Sequence, residues 1–98
     1  MTLRDKLDRE IYGAAVQLAR IESGENSILK YVKEPEARKL AVSYLQKLKA
    51  KTVEADTLLR EASSPDGLES VKLVLKKISA AYGALVRMQL DDKSLDEI

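Results

Sequence analysis

Apolar residues recur at helical spacing through nearly the whole chain, and polar punctuation divides them into three long stretches and one short one. Leu3, Leu7, Ile11, Ala14, Ala15, Leu18 and Ile21 fall in one arc at about 100° per residue, with Lys6, Arg9, Glu10, Gln17 and Arg20 opposite. This predicts a first helix over roughly Thr2–Glu22. Thr2 serves as N-cap with Asp5 three residues on, and Ser23-Gly24 supplies the residue that tolerates the left-handed turn ending a helix. Within Glu25–Glu34, Ile28, Leu29, Tyr31 and Val32 form a short apolar group, which predicts either a short helix or a packed connector. Pro35 suits the first turn of a new helix, where its missing N–H costs nothing.

From Pro35 to about Ser63 runs the longest pattern, with Ala37, Leu40, Ala41, Tyr44, Leu45, Leu48, Ala55, Leu58, Leu59 and Ala62 on one face. Lys51 and Thr52 interrupt that stripe, which reads as a lysine stem lying over the core with its ammonium in water. Ser63-Ser64-Pro65-Asp66-Gly67 predicts a tight interhelical loop. The densest apolar pattern follows in Leu68–Leu90, with Val71, Val74, Leu75, Ile78, Ala81, Tyr82, Leu85 and Met88 on one face. Beyond it, Asp91–Ile98 reads as a frayed, flexible acidic tail, with Leu95 and Ile98 its only apolar residues for docking. No period-two alternation is sustained, so the prediction is an all-α, up-down-up three-helix bundle. It forms a single domain over residues 1–90, with residues 25–34 as the place for a short fourth helix between the first and second long ones.

Composition narrows the chemistry. At 98 residues, 45% hydrophobic and 34% charged, the chain supports one core without metal or disulfide staples. No apolar run approaches the ~20 residues that span a bilayer, and the charged start lacks the apolar core of a secretory signal, so a cytoplasmic protein is expected. Lack of cysteine excludes disulfides and thiolate chemistry, and lack of histidine removes the usual general base and commonest metal ligand. A net charge of +1 gives no global pull toward nucleic acid.

Two features invite a functional reading. Tyr12-Gly13-Ala14-Ala15-Val16 is echoed by Tyr82-Gly83-Ala84-Leu85-Val86, although the flanks do not match. Glycine inside a helix costs about 1 kcal/mol relative to alanine, so Gly13 and Gly83 are expected where a second chain or the Ile28–Val32 segment packs closely. With Gly83, the residues Leu73, Ala80 and Ala84 form apolar surface off the main face of the last helix, a candidate interface for a protein partner or for self-association as a homodimer. The second feature is basic: Arg38, Lys47 and Lys49 on the long helix, and Lys72, Lys76 and Arg87 on the last. Glu36, Glu54, Asp56, Glu61 and Glu69 are interspersed and no aromatic residue is interleaved, which describes a solvated face, with nucleic-acid contact as the alternative. Asp91-Asp92 with Asp96-Glu97 is the acidic cluster, without the glycine-centred loop of a calcium site, and neither metal nor cofactor is expected.

Two resemblances bear on this. Leu3-Arg4-Asp5-Lys6-Leu7-Asp8 resembles the opening of the all-helical chorismate mutases, which implies cationic side chains converging inside the bundle, with Arg4 at a functional position. That similarity stops past Asp8. From Ala37 onward the chain is similar to the archaeal domain of unknown function 357 family. The similarity rests on Ala41-Val42-Ser43-Tyr44-Leu45, Ala55, Leu58-Leu59 and above all Ile78-Ser79-Ala80-Ala81-Tyr82-Gly83-Ala84-Leu85. It implies a small three-helix protein and no particular activity. The expected function is therefore a non-catalytic protein-interaction or self-associating module. A nucleic-acid accessory protein is the alternative, and a small helical enzyme comes third.

Overall fold

Local chemistry opens the first helix. The Thr2 hydroxyl accepts from the Asp5 N–H at 3.2 Å while the Asp5 carboxylate accepts from the Thr2 N–H at 3.4 Å, a reciprocal cap. The computed structural model describes residues 2–98, and in it this cap starts α1, Leu3–Ser23. Gly24 ends α1 at φ +88°, in the left-handed region. A 3-10 turn, Ser27–Tyr31, follows, opened by the Asn26 side chain, which accepts from the Ile28 N–H at 3.1 Å. Then come α2, Pro35–Glu61, with its proline in the first turn, α3, Pro65–Val86, and a short α4, Asp92–Glu97. Among the described residues there is no strand, and no helix is long and apolar enough to cross a membrane.

The three long helices run up, down and up, so α1 and α3 are parallel to each other and antiparallel to α2. Helix α2 is central. It packs most extensively on α3, then on α1, while α1 and α3 touch each other least. Ala41, Tyr44, Leu48 and Ala55 of α2 are fully enclosed, as are Val71 and Leu85 of α3, and Leu7, Ile11, Leu18 and Ile21 complete the core from α1. Burying each leucine-sized side chain is worth roughly 1.5–3 kcal/mol, which is what offsets the entropy of ordering the chain.

Thr52 does not break the stripe of α2. It is buried, and its hydroxyl donates to the Leu48 carbonyl one turn back at 2.8 Å, so a polar residue fills a core position with its hydrogen bond satisfied. Lys51 beside it reaches Glu54 at 3.0 Å. The expected loop at 63–67 is shorter than its composition suggests. Ser64 is the N-cap of α3, its hydroxyl accepting from the Gly67 N–H at 3.4 Å, and Pro65 to Gly67 form the first helical turn. Gly67 is needed there because a Cβ would stand 3.1 Å from Ala62 Cβ and 3.2 Å from Ala62 Cα. Of the short apolar segment, Ile28 and Leu29 pack against the core, while Tyr31 points out to solvent and is 78% exposed.

Helix α3 stops at Val86, before the Leu90 that the pattern suggests. Met88 takes a left-handed φ of +55°, and the Gln89 N–H donates to the Ala84 carbonyl at 2.9 Å, a helix-ending turn usually built on glycine. Residues 91–98, read from sequence as a tail, contain α4, with Leu95 and Ile98 packed against the core. Two bonds from α2 hold this segment. The Tyr44 hydroxyl donates to the Asp91 carbonyl at 3.1 Å, and Lys47 Nζ donates to the Leu95 carbonyl at 2.8 Å.

At the other end of α2, the Arg4 guanidinium donates to the carbonyls of Leu59, at 2.7 Å, and Ala62. A cation thereby satisfies orphan carbonyls at the negative end of the helix dipole.

Replacing Tyr44 by phenylalanine removes the hydroxyl without opening a cavity, and should cost about 1–2 kcal/mol. Hydrogen exchange should show the amides of 92–97 losing protection first. Unchanged exchange there would mean the clamp does not hold α4. Replacing Arg4 by methionine keeps the stem and removes both donors, with an expected loss of about 1–2 kcal/mol in urea unfolding. That loss should shrink as salt screens the dipole contribution.

Candidate functional site

Because α1 and α3 meet each other so little, a groove of about 800 Å³ runs between them. Small side chains make it. Gly13 and Ala14 face it from α1, and a Cβ built on Gly13 meets nothing within 4 Å. Its floor is the outer edge of the core, Leu7 and Leu18 from α1 with Leu75 and Ile78 from α3. Lys6, Glu10 and Gln17 form one rim, and Glu69, Lys72, Lys76 and Ser79 the other. Leu73, 63% exposed, and Leu3, 41% exposed, leave uncovered apolar surface along it. The far end is bridged by the Tyr82 hydroxyl, which donates to Gln17 Oε1 at 3.5 Å.

Of the interface candidates read from the sequence, the fold brings Gly13 and Leu73 into this groove and leaves Ala80, Gly83 and Ala84 outside it. Ala80 is exposed, while Ala84 packs against the core. Gly83 lies beneath the Arg87 guanidinium, which a Cβ would approach to 3.1 Å. Neither glycine meets the Ile28–Val32 segment, so close approach by that segment is not what places them. Leu3, Lys6, Glu10, Gln17 and Tyr82 belong to the groove without having been named as interface candidates. Leu3 and Tyr82 read as core from their spacing, and Lys6, Glu10 and Gln17 as the solvent face, because the groove opens at the boundary between the two.

The basic candidates are spread over the bundle. Arg38 donates to the Leu29 carbonyl at 3.2 Å, Lys47 holds α4, and Lys49 pairs with Glu22 at 2.5 Å. Lys72 pairs with Glu69 at 3.3 Å, and Arg87 Nε donates to Gln89 Oε1 at 3.1 Å. Lys72 and Lys76 share the rim of the groove, which the other four do not line. Arg4, the residue on which the chorismate mutase resemblance turns, is directed to the end of α2. Among the described residues no group of three or more acidic side chains is placed to hold a metal ion.

A second, shallower groove of about 460 Å³ lies between α1 and α2. It is lined by Asp8, Arg9, Tyr12, Val53 and Asp56 over buried Ile11 and Thr52.

Since a methyl on Gly13 would meet no neighbour, Gly13→Ala should stabilise the monomer by about 0.5–1 kcal/mol through helix propensity. At a protein concentration low enough to keep the chain monomeric, a thermal melt should move up by roughly 2–8 °C. A loss of stability would show that the space above Gly13 is filled.

Comparison with protein families, with curated proteins and with solved structures gives no match.

Proposed function

We propose that this protein is an interaction module whose α1/α3 groove receives helical surface from another polypeptide. The observation that carries the reading is Leu73, a leucine 63% exposed on the rim of a groove floored by Leu7, Leu18, Leu75 and Ile78. Exposed leucines scattered singly are ordinary. Here Leu73 and Leu3 are continuous with the core through the groove floor, which makes one surface that a further helix can close.

The geometry suits a helix. The groove is bounded by two parallel helices of 21 and 22 residues, each about 30 Å long, and further helical surface laid over them completes a four-helix arrangement. Covering Leu73 and Leu3 contributes roughly 1.5–3 kcal/mol for each side chain brought from full exposure, less for Leu3, which is already half covered. The polar rim supplies orientation, as in helix-in-groove recognition generally. This reading also accounts for Gly13, which keeps the groove open where alanine would suit the helix better.

A photoreactive benzoylphenylalanine at position 73 tests the proposal in cells of the native host. It should give discrete protein adducts, identifiable by mass spectrometry. The same probe at Val42, an exposed position on α2, should not. No adduct from position 73, equal labelling from both positions, or adducts to nucleic acid alone would overturn it.

A further inference from the structure

We infer that the groove's occupant is a second copy of this chain, docked about a two-fold axis running along the groove so that Glu10 of each copy meets Lys76 of the other. The inference rests on the reading of the groove as a docking surface and specifies its partner.

The relative height of the two walls follows from one contact. Tyr82 donates to Gln17 across the groove, 65 positions apart, and α1 and α3 climb in the same direction at about 1.5 Å per residue. Glu10 and Lys76 therefore stand at about the same height, within roughly one helical turn. Both line the groove from opposite walls and both are exposed. Among the described residues neither has an ion-pair partner, whereas Lys72, a turn below, is already held by Glu69. Lys6, a turn below Glu10, stands across from the stretch that carries Glu69 and Lys72. At the height of Glu10 and Lys76 an occupant is therefore favoured that presents a positive group to the α1 wall and a negative group to the α3 wall. The groove turned about its own long axis does this automatically, since α1 of one copy then faces α3 of the other in register. Both ion pairs form at once, as an isologous interface requires.

The apolar surface fits the same operation. Leu73 stands level with Asp8, so on the facing copy it lies against α1 close to Leu7, next to the uncovered Leu3. A stable interface takes about 800 Å² from each partner, roughly one-eighth of the 6514 Å² this chain exposes. The groove between α1 and α2 lacks this property. Of its charged lining residues Asp8 and Arg9 both stand on α1, and Asp56 on α2 is already bridged to Arg60 at 2.8 Å, so among the described residues no unpaired acid and base face each other across it.

Sedimentation equilibrium on the full chain from about 10 μM to about 1 mM, at low salt, tests the proposal. The wild type should be a dimer, and Leu73→Glu a monomer with an unchanged helical circular dichroism spectrum. Glu10→Lys should weaken dimerisation about tenfold or more by setting lysine against lysine, and Glu10→Lys combined with Lys76→Glu should restore it to within about threefold. A wild type that stays monomeric throughout overturns self-association, yet leaves the docking reading standing if the probe at position 73 captures a different protein. A dimer indifferent to Leu73→Glu overturns the groove as its interface. A dimer lost in Leu73→Glu but not restored by the double exchange overturns the Glu10–Lys76 arrangement.

Discussion

The buried face of α2, from Ala41 to Leu59, is the surface on which α1, α3 and α4 all close. It works because small and large residues alternate along it. Ala41 and Ala55 let neighbouring helices approach, while Tyr44 and Leu48 fill the space between them, and all four are fully enclosed. Thr52 belongs to the same face only because its hydroxyl returns to the Leu48 carbonyl. Without that bond a buried oxygen there would be costly. With one helix at the centre, the outer two have little left to bury against each other, and the α1/α3 groove follows from that division of contacts.

The same central helix sets how the chain's loose ends are tied. Tyr44 brings a hydroxyl into the interior, and a buried phenol needs a partner. The partner is the backbone at Asp91, which turns the chain after α3 back across α2 and seats Leu95 and Ile98. Met88 makes that turn possible by accepting a left-handed conformation that a non-glycine residue adopts only at some cost. At the opposite end, no glycine follows α2, and Arg4 from another helix supplies the cap that the local sequence lacks. Helix ends that are not closed locally are closed by tertiary contacts.

The groove joins architecture to the proposed function. A three-helix bundle with one apolar seam left open presents uncovered apolar surface between two parallel helices, and in the proposed reading its rim charges select what covers it. Among the described residues Glu10 and Lys76 form no ion pair, so both charges face the open groove beside Leu73.

Sequence by itself determined the elements wherever the governing chemistry is local. The Thr2–Asp5 cap, the Gly24 stop, Pro35 at the start of α2 and the apolar arcs of the three long helices all involve residues within a few positions of one another. Pro65 shows the margin of that reading, since a proline that ends one helix equally begins the next, and Ser64 capping Gly67 decides between them. The candidate site was half legible. Gly13 and Leu73 stood out as residues off the main apolar face, whereas Leu3, Lys6, Glu10 and Tyr82 did not. A helical wheel divides inside from outside but cannot show where two neighbouring helices part. Only the tertiary structure decided the Arg4 cap, the Tyr44 clamp, the end of α3 at Val86 and the opening between α1 and α3. Each depends on residues far apart in the chain, and their meeting is set by how three apolar faces share one central helix.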